Sequence, residues 1–191
     1  MRWIEVAGAA FRKGNHIVDT DRFWEIIEKS TGHDPETAEQ WHTKLVDQLV
    51  KLPADEILAW DRIFADLTSR AYRNDLWAAA YLINGGASDD GFYYFRCWLI
   101  GMGRDVYVNA LEDPDSLADV IHPNWLADGI DAEAEIYSAG FRAWQMVTDA
   151  ADNAPYPVQT PRAELIGEDF DFDDDEVIGR MLPRLCKLIA T

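Results

Sequence analysis

Apolar residues recur along this chain at steps of three and four. Ala38, Trp41, Leu45, Leu49 and Leu52 form one such series, and Ile57, Trp60, Phe64, Leu67 and Ala71 a second. A third runs through Tyr137, Phe141, Trp144 and Val147. Each series describes one face of an amphipathic helix and is expected to face the core. Two-residue alternation is confined to short stretches such as "YPVQT" and "DVYVN". The pattern therefore predicts an all-α fold, a multi-helix bundle. Helices are expected near 3–12, 20–31, 35–51, 54–71, 74–83, 89–102, 105–121, 131–151 and 175–190, with Pro183 breaking the last.

Start signals agree with these spans. "HDPETAEQW" offers Asp34 as a cap and Pro35 as first helical residue, and "EDPDSLADV" repeats the device with Asp113, Pro114 and Asp115. Thr160 with Pro161, Asp19 or Thr20, and Pro53 mark further starts. Residues 1–19 read as an N-terminal, helical extension. Residues 20–151 read as the helical core, and 152–191 as an acidic connector and C-terminal helix packed on it.

The segment "GGASDDGFYYFRCWLIGMGRD" (85–105) stands apart. Gly85 and Gly86 are expected to stop the preceding helix, and Ser88, Asp89 or Asp90 to cap the next. From Phe92 to Met102 apolar residues occupy every face, so this helix belongs in the centre of the bundle. Arg96 lies inside that run. A buried guanidinium needs carboxylate or carbonyl partners, because its desolvation costs several kcal/mol. The acids expected to neutralise it are Asp89, Asp90, Asp113 and Asp115. Two readings stay open. In one, these groups form a buried network that sets packing register. In the other, Asp89, Asp90, Arg96 and Arg104 face a cleft walled by Trp77, Tyr81, Phe92, Tyr93 and Trp98, and hold a small ligand or perform acid–base work.

Composition narrows the function classes. The 191 residues carry 35 Asp plus Glu against 17 Lys plus Arg, a net charge of −18. Such a chain repels phosphate backbones and anionic bilayers, so direct nucleic-acid and membrane binding are disfavoured. The surplus acid fits a basic protein partner; mimicry of DNA is a more specialised version of the same idea. Cys97 and Cys186 suggest no disulfide framework. "MRWIEVAGAAFRKGN" does not read as a signal peptide, and a cytoplasmic location is expected. The four histidines have no metal-ligand spacing, and neither a P-loop nor a G-x-S-x-G elbow occurs. In "ELIGEDFDFDDDE" a calcium loop started at Asp169 would need Gly at Asp174 and Glu at Arg180, so the segment reads as a solvated linker. No metal and no cofactor is assigned.

The stretch from Phe23-Trp24 through "LWAAAYLINGGASDDGFYYFRCWLIGMGRDVYVNALEDPDSLAD" resembles a bacterial family known as domain of unknown function 4240, over roughly residues 20–145. Its most specific part is the Gly-Gly-x-Ser-Asp-Asp-x-Phe-x-x-Phe-Arg-x-Trp-Leu core at Gly85–Leu99. Gly103-Arg104 and Asp113–Leu117 follow it. The resemblance implies no activity, cofactor or catalytic residue. The expected function is that of a non-enzymatic binding or regulatory module, with an enzyme or small-molecule binder as the alternative.

Overall fold

Asp19 begins the first helix, α1 (Thr20–Ser30), by accepting the Arg22 N–H at 2.8 Å. The structure, a computed structural model, describes residues 18–31, 38–121, 132, 134–151, 153–159, 163–168 and 170–190. The expected helix at 3–12, the Asp34 and Thr160 caps, and His16, His33 and His122 lie outside the described residues.

Helix α2 (Ala38–Leu49) presents Trp41, Leu45, Val46 and Leu49 to the core. Helix α3 (Ala54–Arg70) follows Pro53, with Asp55 and Glu56 in its first turn, where carboxylates meet the positive end of the helix dipole. Helix α4 (Asn74–Asn84) stops at Gly85, in the left-handed region at φ 66°. Helix α5 (Asp89–Gly101) starts at Ser88, whose hydroxyl accepts the Gly91 N–H at 3.1 Å. Helix α6 (Arg104–Glu112) follows directly.

The structure is all-α: among the described residues there is no strand, and one isolated parallel bridge joins Arg73 to Ile166. Helix α5 is central, as its pattern predicts. Phe92, Phe95, Cys97, Trp98, Leu99 and Ile100 are fully enclosed, and α1, α3, α4 and α6 all pack on it. Its last residue meets α2. A Cβ at Gly101 would overlap the Trp41 ring, so only glycine allows that approach.

Two expected spans change, and the last one divides at its proline as expected. The helix drawn over 105–121 breaks at Asp113, which is extended (φ −150°, ψ 101°) because Pro114 excludes helical backbone before it; a 3-10 turn covers Pro114–Asp119. The helix drawn over 131–151 is α7 (Ala139–Thr148), led in by a 3-10 turn at Ile136–Ser138. The last span divides at Pro183 into α8 (Asp175–Met181) and α9 (Pro183–Ile189).

The face of α7 also differs from its pattern. Its buried residues are Ala139, Gly140, Ala143 and Gln145, while Tyr137 and Val147 are exposed and Phe141 and Trp144 half-buried. Small side chains let α7 lie close to α2 and α3. The large ones are left on the outer flank, where Tyr156 packs edge-on to Phe141 and Trp144.

Candidate functional site

Arg96 is buried, at 9% exposure, on the side of α5 facing α3. Its Nε donates to the Phe92 carbonyl one turn back (3.3 Å), and one terminal nitrogen donates to the Thr68 carbonyl (2.9 Å). Thr68 belongs to the last turn of α3, where carbonyls lack an intrahelical partner and carry the negative end of the dipole. The neighbouring Leu67 carbonyl is met by the Tyr107 hydroxyl at 2.7 Å. The guanidinium also lies over the rings of Tyr72, Phe92 and Tyr93, at 4.7, 5.0 and 5.3 Å from their centres. Burial lowers its pKa, yet a guanidinium retains its proton. The partners are a helix end and three aromatic faces, which corrects the expectation that acids neutralise it: among the described residues no ion pair to Arg96 is found.

The acids expected around Arg96 lie in different places. Asp89 and Asp90 are exposed in the first turn of α5. Asp113 is exposed and accepts the Asp115 N–H at 3.1 Å. Asp115 is buried, and its carboxylate accepts the Arg184 and Leu185 N–H groups (3.0 and 2.9 Å) at the start of α9. Arg104 pairs with Asp21 (2.6 Å) and donates to the Thr20 carbonyl, joining α6 to α1.

Of the expected pocket aromatics, Trp77 and Phe92 come together, while Tyr81, Tyr93 and Trp98 have other neighbours. Trp77 stacks on Phe92 (4.8 Å, 15°) and donates its Nε1–H to the Ala87 carbonyl. Tyr81 donates to Asp173 at 2.9 Å. Tyr93 packs against Tyr94 and Tyr137. Trp98 lies fully inside against Phe95, and its Nε1–H has no partner among the described residues.

A further buried carboxylate, Asp61 at 7% exposure, was not among the expected residues. It lies four positions after Ile57 and three before Phe64, which puts a carboxylate on the buried face of α3. Its partner is the Tyr156 hydroxyl, donating at 2.8 Å from the connector. Gly140 of α7 lies so close that a Cβ there would collide with the carboxylate. Burial raises the Asp61 pKa to about 6, outweighing the Tyr156 hydrogen bond and Arg62. Tyr93 feels both Asp61 and Arg96; its own pKa is raised, chiefly by burial. Burial likewise pushes the Cys97 thiol up to about 12, so it stays protonated at neutral pH and is a poor nucleophile. His42, half-buried on α2, shares a hydrogen bond with the Ser138 hydroxyl (3.0 Å), and desolvation lowers its pKa. Chemically, Asp61 is a carboxyl whose hold on its proton is strengthened by burial, and Arg96 is a fixed cation. Among the described residues no three His, Cys, Asp or Glu side chains come together in a way that could hold a metal ion.

The α1–α7 unit that carries the buried Asp61, Arg96 and Asp115 coincides with a known family. Its sequence profile, described as Protein of unknown function (DUF4240), matches residues 18–146. The chain belongs to the DUF4240 family. Comparison with curated proteins and with solved structures gave no match. Arg96, Asp61, Asp115 and Gly140 all lie within the DUF4240 match, whereas Tyr156 and residues 163–190 lie beyond it. None of the helices in the described residues is long and apolar enough to cross a membrane.

Proposed function

We propose that this DUF4240 protein is a non-enzymatic binding module of the cytoplasm that offers an acidic surface to a basic protein partner. The observation that carries the reading is the surplus of 18 negative charges, read with where the acids lie. Asp89, Asp90, Asp105, Glu112, Asp113 and Asp119 are exposed around the ends of α5 and α6, and Asp171 and Asp173–Glu176 are exposed on the tail. Two buried charges speak for the same reading. Arg96 is committed to a helix end, and Asp115 to two backbone N–H groups. Both cysteines are free thiols, which suits a reducing compartment.

The test is calorimetric titration with a hepta-arginine peptide. Affinity is expected to fall at least about tenfold between about 50 and 300 mM salt, as screening shortens the reach of surface charge. An absence of binding at the lower salt overturns the reading.

A further inference from the structure

The residues beyond the family match fold back onto it through contacts of a kind that recognise a peptide. Ile166 pairs with the chain between α3 and α4 in both directions: its N–H donates to the Tyr72 carbonyl (3.0 Å) and its carbonyl accepts the Asn74 N–H (2.9 Å). The Asn74 side chain donates to the Glu168 carbonyl at 2.8 Å. Phe172 lies against Trp77 (6.0 Å) and Tyr81 (5.7 Å), with Phe170 beside it, and Asp173 accepts the Tyr81 hydroxyl. Asp115 then holds the start of α9, and Arg184 pairs with Asp119. Every receiving group belongs to residues 72–119, and every received one to residues 166–185. The expectation of a solvated linker is corrected here: Phe170 and Phe172 are half-buried, while Asp171 and Asp173 beside them are exposed.

Receiving a segment largely through its backbone, with aromatic side chains seated on aromatic rings, is how folded domains take up extended peptides. We propose that the face formed by Tyr72, Asn74, Trp77, Tyr81 and Asp115 is a docking site for an acidic–aromatic peptide that leads into a helix, and that residues 164–168 and 170–190 occupy it as a ligand supplied by the same chain. Ile178, Leu182 and Leu185, buried to 6%, 1% and 0%, anchor the helical end. The strap before it lies at the surface, with Leu165 and Ile166 exposed, so release begins there. The occupant is acidic, so it is a different ligand from the basic partner proposed above. Its attachment rests on shape and backbone pairing, against the charge of the molecule.

The test uses the full chain with a protease recognition sequence inserted after the exposed Gln159, cut once folded. The two pieces are expected to co-elute. A fluorescein-labelled peptide of residues 163–190 is expected to replace the cut tail, with saturable anisotropy. Its affinity should rise with salt as like-charge repulsion is screened, the reverse of the hepta-arginine result. Phe172→Ala, on the half-exposed strap, and Asp115→Asn should each weaken it about tenfold or more. Three results overturn the proposal. The first is no exchange against about a hundredfold excess of peptide, well above any affinity a docking site needs. The second is loss of the helical circular-dichroism signal when the tail leaves, which makes the tail part of the core. The third is equal binding of a scrambled peptide.

Discussion

Arg96 and Asp61 are both single charges set into apolar surroundings, and Tyr93 feels both of them. They reach opposite solutions. Arg96 keeps its charge. Its planar fork meets two carbonyls, one at the negative end of α3, and its flat faces meet three rings. Asp61 has the Tyr156 hydroxyl on one oxygen and the crowded backbone of Gly140 beside the other, and its pKa rises to about 6. A guanidinium cannot give up its proton within the stability range of a protein, so it must be supplied with partners. A carboxylate with few partners takes a proton instead. The burial of a charge thus says little until its donors and acceptors are counted.

The comparison is broken most severely at Arg96. Arg96→Ala leaves the Thr68 carbonyl without its partner and opens a cavity among three rings, a cost of about 3–5 kcal/mol in urea unfolding. Arg96→Lys should recover part of that, since an ammonium can meet the carbonyl but not stack on the rings. A loss below about 1 kcal/mol for the alanine variant would remove Arg96 from its central position, because surface substitutions cost as little.

At Asp61 the effect is one of pH. The folded-state pKa of about 6 lies above the unfolded value of 3.8, so the folded chain holds the proton more tightly. The resulting stability, about 3 kcal/mol for such a shift, is complete below the unfolded pKa and disappears as pH rises through the folded one. Asp61→Asn should abolish that contribution, so the variant and wild type diverge between acid and neutral pH. Parallel stability curves for the two proteins would show that Asp61 is not desolvated.

Gly140→Ala sharpens the same contrast from the neighbouring helix. Its methyl group would press on the Asp61 carboxylate and push α7 off α3, destabilising by about 1–3 kcal/mol in thermal or urea melts. The smallest effect is expected at Arg104→Ala. Its partner Asp21 is 80% exposed, and a pair of that kind contributes less than about 1 kcal/mol, reduced further by salt.

Some of this arrangement was open to a reader of residues alone. Ser88, Gly85 and Pro183 act where local chemistry places them, since a cap or a break depends on the few residues around it. The burial of Arg96 was also legible, because its helix is apolar on every side. Its partners were not: the Thr68 carbonyl lies 28 positions away and has nothing in its side chain to mark it. Asp61 was legible by spacing alone, whereas Tyr156, 95 residues on, was not. On α7 the large residues misled, because the tightest packing goes to the smallest side chains. On the tail, alternating acids hid two phenylalanines that rest on Trp77, Tyr81 and one another.

What the residue order determined by itself is local: which stretches coil into helices, where each begins and stops, and which of them cannot face water. These follow from backbone geometry and side-chain polarity within a few positions. What only the tertiary structure decided is the pairing of polar groups: Arg96 with the end of α3, Asp61 with Tyr156, and Asp115 with the first turn of α9. A buried charge accepts any donor or acceptor of suitable geometry, backbone included, and helix packing selects which one arrives.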